Sequence, residues 1–282
     1  MKSHPTIGVV AISRNEAQDL PGFLASVLPW VDEVVIVDDG STDDTVEIAR
    51  TAGRKVKVLQ RKMSDEDGFA GQRNAGISAA TSDWLLNMDI DERVPPTLAA
   101  EIETVLSDTT LNAFRYSRLN FFMHRPMKAG GWCSWNNPQL ARRNCHRYAN
   151  KVHERCEVDG EPASIGQLTH KMWHLNDDGY QERMRKSFQY CQMEAEKLLA
   201  KDATIRHYDL LLKPLIEFGK KYIWRQGFRD GTPGLISAIH SACAIFRAYA
   251  LAWDEQNYIS RNRLEQQLQE MWEQSKEVGR DS

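Results

Sequence analysis

The sequence predicts an α/β fold: a mostly parallel sheet flanked by helices, followed by a C-terminal helical region. Three observations carry this expectation. Short β-branched runs alternate with helically spaced apolar residues through the first hundred positions, and such cycling lays strands parallel with helices over both faces. Acidic pairs stand where apolar runs end, at Asp38-Asp39 and Asp89-Ile90-Asp91, and open α/β sheets bind ligands beyond the carboxyl ends of their strands. After His174 the spacing becomes helical.

Taken in order, Thr6 to Ile12 is a strand and Asp19 to Leu28 a helix; Glu33 to Val37 is a strand, followed by a helix from Asp43 to Ala52 capped by Ser41 or Asp43. A third cycle joins Lys55 to Leu59 with a helix around Gly71 to Ala80, and a fourth joins Trp84 to Met88 with Pro96 to Leu106. From Asn112 to His174 shorter strands are expected, such as Ala113 to Leu119 and Ser164 to Met172, with turns at Gly130-Gly131 and Asp159-Gly160. In the tail, Met184, Phe188, Cys191, Ala195 and Leu198 are spaced for one apolar helix face. The expected division is residues 1–174, with a nucleotide-binding half at 1–111 and an acceptor half at 112–174, then the helical region 175–282.

Composition narrows the function. With 282 residues, 41% hydrophobic and 27% charged, the chain can bury a full core. A net charge of -3 gives no general attraction to nucleic acid, and no nucleic-acid partner is expected. Five cysteines, an odd number, fit free thiols better than a disulfide framework. The first five residues are too few and too polar for a signal peptide, so a cytoplasmic location is expected. Leu235 to Trp253 is apolar but contains His240 and Arg247, and is read as a buried or interfacial helix and not a membrane span.

Asp89, Asp91 and Glu92 gather negative charge at a strand end. Like charges this close destabilise the fold unless a cation or a hydrogen-bonded ligand sits among them. A hard divalent cation suits such a place, since one or two carboxylates can hold it while it keeps several waters. Alternation along an extended segment would point Asp89 and Asp91 the same way. A solvated loop with Glu92 in salt bridges is the plainer alternative.

The stretches "VVAISRNEAQDLPGFLASVLPWVDEVVIVDDGSTDDT" (9–45), "GFAGQRNAGISAATSDWLLNMDIDE" (68–92) and "KVHERCEVDG" (151–160) together resemble family 2 glycosyltransferases of the GT-A fold. The likeness is to the branch that adds glucose to the heptose of the lipopolysaccharide inner core, and "QGFRDGTPGL" (226–235) shares it. The resemblance implies a Rossmann-like nucleotide-sugar site and a UDP-sugar donor. It assigns Asp89 to the ribose and the metal region, Asp91 to a Mg or Mn ion that neutralises the pyrophosphate as it leaves, and Asp39 to the uracil imide N–H. Ile12, Ser13, Asn15 and Glu16 would wall the base. Arg73 would reach the ribose or pyrophosphate, or else be an exposed helix charge.

Between Ala113 and Cys156 lie Arg115, Arg118, Arg125, Lys128, Arg142, Arg143, Arg147, Lys151 and Arg155, with Glu154 as the only acid. So one-sided a stretch predicts an anionic partner, and a phosphate- or carboxylate-bearing lipopolysaccharide core fits arginine pairing; a solvated basic face is the alternative. Inversion needs a base on the acceptor side. Glu154 is the first choice, ahead of Glu157 and Asp159, with a structural ion pair as the competing role. Cys145, His146, His153 and Cys156 match no usual zinc spacing. His170 and His174 are read as packed residues. Apolar residues from Leu211 to Phe228 interleave with Lys213, Lys220, Lys221, Arg225 and Arg229, the composition of a helix in peripheral contact with an anionic membrane, packing within the fold being the alternative. Other readings are a family 2 enzyme acting on a different envelope glycan, a sugar nucleotidyltransferase, or a non-catalytic nucleotide-sugar or glycan binder.

Overall fold

Val and Ile runs, stiff at χ1 and suited to a pleated surface, form the strands of the computed structural model, which describes residues 4–150, 154–176, 179–201 and 204–278. Two units are distinguished: Met1–Tyr180 with Phe228–Gly234, and Gln181–Gly227 with Leu235–Ser282.

The first unit opens with β1 (Ile7–Ser13), α1 (Leu20–Val27), β2 (Glu33–Asp38), α2 (Thr45–Thr51) and β3 (Val56–Gln60). It continues with α3 (Gly68–Ala79), β4 (Trp84–Asp89), the two-residue β5 (Glu92–Arg93) and α4 (Pro96–Leu106). Strands β3, β2, β1 and β4 are neighbours in that order and all parallel. Their side chains alternate between two covered faces. Val9, Val34 and Ile36 pack with Phe23, Leu98 and Ile102 on one, and Val10, Val35 and Val37 with Ala70, Ile77 and Tyr148 on the other. Gly76 permits the close seating of α3, since a Cβ there would lie 2.4 Å from Val10 Cγ1.

Then come β6 (Ala113–Phe122), β7 (Arg125–Pro126), β8 (Asn136–Arg142), β9 (His146–Ala149), β10 (Arg155–Val158), β11 (Ile165–Gln167) and β12 (Met172–His174). Here directions mix: β8 is antiparallel to both β4 and β6, and β12 is parallel to β6 but antiparallel to β5. Ten strands share the sheet, and β9-β10 form a separate hairpin. The single strand expected over Ser164 to Met172 is instead β11 and β12 with a break between. The break has a cause: Glu101 on α4 accepts the backbone N–H groups of Thr169 and His170 at 2.8 and 2.9 Å, taking them from any ladder. Gly130, Gly131 and Gly160 sit at positive φ, as the expected turns require.

The second unit holds α5 (Tyr180–Leu199, its first residue in the first unit), α6 (Asp209–Phe218), a π-helical turn (Gly219–Trp224), most of α7 (Gly231–Gln256) and α8 (Arg261–Val278). On α5, Cys191 and Ala195 are buried but Met184 and Phe188 are exposed, so the apolar face is narrower than its spacing predicts. Small residues make the contact with α7, where Cys191 Sγ donates to the Ala244 carbonyl and Arg247 to Ser187 Oγ. Gly227–Gln256 is long and apolar enough to cross a membrane by length and composition, with 28% of its most apolar window buried. His240 within it is buried.

Candidate active site

Parallel register brings the strand ends together: Ser13 lies beside Asp38, and Ile12 beside Asp89. Asp38 is fully buried and accepts from Ser13 Oγ at 3.1 Å and from the N–H groups of Gly40 and Ser41 at 2.9 Å. It thereby closes a turn in which Gly40 takes φ +74°. Asp39 is left at the rim, accepting from Met63 N–H at 2.7 Å and from Arg14 Nη1 at 3.1 Å.

The loop after β1 is stitched to this turn. Asn15, at φ +57°, donates its N–H to Ser41 Oγ and accepts from Thr42 N–H, while Glu16 N–H donates to Thr45 Oγ1. The side chains of Ser13 and Asn15 are thus engaged within the fold, and Ile12 packs against the core on the α3 side. Helix α2 starts later than expected, with Asp44 at its N-cap, while Asp43 Oδ1 accepts from Thr45 N–H at 3.1 Å.

Asp89 ends β4 and is gripped from two sides, Oδ1 by Arg73 Nη2 at 2.5 Å and Oδ2 by Arg118 Nη2 at 2.7 Å. Burial alone would raise its pKa, but the two guanidiniums hold it far below the usual carboxylate range. Arg73 is not the exposed helix charge of the alternative reading: it is 3% exposed and also reaches Glu154 Oε1 at 3.3 Å. Nor is Glu92 a solvated loop residue. It is fully buried, bonded to Arg118 Nε at 2.6 Å and to Asp89 N–H at 2.9 Å, and burial together with the Asp89 charge pushes its pKa up. Removing Arg118 would leave two carboxylates without it, a loss that costs about 3–5 kcal/mol for a buried pair.

Ile90 and Asp91 form a turn. Alternation therefore does not relate Asp89 and Asp91, and the two differ in surroundings. Asp91 Oδ1 is buried with no hydrogen-bond partner, while Oδ2 lies 3.1 Å from His174 Nε2. His174 Nδ1 is 2.6 Å from Asn120 Oδ1, which makes Nδ1 a protonated nitrogen and leaves Nε2 to face the carboxylate. A proton or a cation between Nε2 and Oδ2 would join the two. His174, left out by the sequence reading, arrives through β12, whose register sets it opposite both Asn120 and Glu92.

Glu154 precedes β10 on the hairpin that α3 holds in place. Asn74 makes both bonds of a paired contact with Tyr148, each 2.8 Å, and the next residue back, Arg73, takes the carboxylate. Glu157 and Asp159 are tied instead to Arg147, at 2.7 and 3.4 Å. A cavity of about 580 Å³ is lined by Arg73, Asp89, Arg115, Arg118, Trp135, Glu154 and Arg155 among others; Asp39 and Asp91 are not in its lining. Lys151 and His153 lie outside the described residues. Among the described residues no three His, Cys, Asp or Glu side chains cluster for a metal, and all five cysteines are free. Asp230, in the "QGFRDGTPGL" stretch, accepts the N–H groups of Lys128 and Ala129 at 2.9 Å, pinning the loop before Gly130.

Fold and site together define an α/β protein whose candidate centre sits at the carboxyl ends of parallel strands. The model of the family described as glycosyl transferase family 2 matches residues 8–156, more than half of the chain, and the chain belongs to that family. It is a glycosyltransferase with the GT-A form of the α/β fold. An uncharacterized glycosyltransferase of Rickettsia felis is 27% identical over 250 residues, covering 85% of this chain and 87% of its own. The lipopolysaccharide core biosynthesis glycosyltransferase LpsC of Rhizobium meliloti is 26% identical over 232 residues, covering 78% and 84%. Among solved structures, S. aureus TarS 1–349 in complex with UDP-GlcNAc is similar at a TM-score of 0.44 and 16% identity, covering 89% and 91%.

Proposed function

We propose that the chain is an inverting, metal-dependent hexosyltransferase that moves glucose from UDP-glucose to the heptose of the lipopolysaccharide inner core. The observation that carries the metal-dependent part is Asp91, whose Oδ1 is buried at a strand end without a partner while Oδ2 faces His174. An unsatisfied buried carboxylate oxygen is costly unless a ligand completes it. The residues present fit Mg or Mn: Asp91 supplies hard oxygen and His174 a second donor, with the remaining positions left to water and phosphate oxygens. When bound, the cation would offset the charge that develops on the departing diphosphate.

The chain's own residues take the other roles in this reading. Asp39 accepts the uracil N–H at the rim. Asp89, with its carboxylate fixed by two arginines, is held rigidly for a ribose hydroxyl, and Arg73 serves by positioning it. Glu154 removes the proton of the acceptor hydroxyl as that oxygen attacks the anomeric carbon from the face opposite the leaving group. The likeness to LpsC, a lipopolysaccharide core enzyme by name, supports the acceptor class. Exposed apolar and basic residues on α6 and the following turn support a cytoplasmic enzyme in peripheral contact with an anionic membrane.

A donor screen that reads UDP release with purified lipopolysaccharide-derived acceptors tests this reading. UDP-glucose with a heptose-terminated core is expected to give the highest rate. Turnover only with another donor or another envelope glycan would replace the substrate assignment, and tight UDP binding without release on any acceptor would replace it with binding alone.

A further inference from the structure

The basic stretch between residues 113 and 156 divides sharply once its partners are known. Arg118 is spent on Asp89 and Glu92, Arg142 on the carbonyls of Leu111 and Thr109, Arg143 on that of Ser82, and Arg147 on Glu157 and Asp159. Arg115 and Arg155 line the same cavity as Glu154, and neither guanidinium has a hydrogen bond or ion pair among the described residues. Arg115 comes from β6 and Arg155 from β10, and both stand on the wall of that one cavity. The acids of the cavity wall are already answered, Asp89 and Glu154 by Arg73, and Glu157 by Arg147.

We infer that Arg115 and Arg155 form an anion subsite in the acceptor cavity, which takes a phosphate or carboxylate group borne by the acceptor near the hydroxyl that is glycosylated. The inference deepens the proposed function and depends on it for the acceptor's identity. Arginine suits this work because its planar fork meets carboxylate and phosphate oxygens in pairs. An anion entering the cavity is attracted by both cations at once. The subsite would hold the acceptor with its nucleophilic hydroxyl toward Glu154, so that discrimination between charged and neutral acceptors resides in these two side chains.

Two measurements test it. In the first, the full chain saturated with UDP and Mg2+ is titrated with inorganic phosphate by calorimetry. The wild type should bind, Arg115→Gln/Arg155→Gln should bind about tenfold more weakly or worse, and Arg125→Gln/Lys128→Gln, an equal loss of charge at two exposed positions outside the cavity lining, should match the wild type. Equal affinity in wild type and double variant would overturn the subsite. In the second, kcat/KM is compared for three heptosides: neutral, phosphorylated and carboxylate-bearing. A wild-type preference of about tenfold for an anionic acceptor that collapses in the double variant supports the inference, and the better of the two anions identifies the source of the charge. Equal use of all three would overturn it while leaving the glycosyltransferase reading intact. UDP release with none of them, while phosphate affinity still depends on Arg115 and Arg155, would keep the subsite and overturn the heptose assignment.

Discussion

Neighbouring aspartates differ at this site through the partners that each one meets. Asp38 gives its carboxylate to the turn, leaving Asp39 as the residue at the rim. Asp89 is locked by arginines and Asp91 keeps an unsatisfied oxygen. Asp91→Asn should therefore fold normally yet lower kcat by about 10²-fold or more, because several kcal/mol of charge stabilisation goes with the cation. A normal thermal melt with lost metal-dependent UDP affinity is the signature to measure. Glu154→Gln should behave differently. UDP and metal affinities persist, while transfer falls by about 10²–10⁴-fold, the range for loss of a general base; wild-type turnover in that variant would move the role to Glu157 or Asp159. The aspartate pairs were legible as residues, since they stand at the ends of apolar runs. His174 was not, because its neighbour is 83 positions away and only the pairing of a three-residue strand unites them.

At the scale of elements, the βα cycles of the first hundred residues could be read to within three positions, because strands covered on both faces leave unbroken apolar runs. The second half resisted for a physical reason: its strands are short and their ladders are interrupted by side chains such as Glu101. That carboxylate holds the Thr169–His170 segment through two backbone N–H groups, Thr169 Oγ1 and His170 Nδ1. Burial would raise its pKa, but these four donors bring it down to about 2, against an ordinary value of 4.5. A depressed carboxylate contributes stability that is complete above pH 4.5 and lost as pH falls toward 2. Glu101→Gln should accordingly cost about 1–3 kcal/mol at neutral pH, and the difference from wild type should shrink across that acidic window. Urea melts at pH 7 and pH 3 measure it; an equal gap at both would remove Glu101 from the account.

Across the whole molecule, the feature least expected from ordinary packing is the exposure of α6 and the turn after it, which contain no buried residue. Leu211, Leu215, Ile216 and Ile223 are each at least 64% exposed and Trp224 is 85% exposed. Lys221, grouped by composition with the basic residues of this face, instead donates to Ser241 Oγ at 2.8 Å, and burial lowers its pKa. The lipid-facing cations of the proposal are therefore Lys213, Lys220 and Arg225. Changing these three to glutamine should weaken co-sedimentation with anionic vesicles and remove its salt dependence, while transfer to a water-soluble acceptor continues. Unchanged vesicle binding would assign the face to a protein partner.

The central claim, metal-dependent inverting transfer of glucose to heptose, is tested most directly by product analysis. Purified protein, UDP-glucose, Mg2+ or Mn2+ and a heptose-terminated core oligosaccharide are incubated, and the anomeric configuration of the product is read by NMR with and without chelator. The account predicts a β-linked glucosyl product that forms only when the metal is free. An α-linked product, or undiminished transfer in excess chelator, would contradict it.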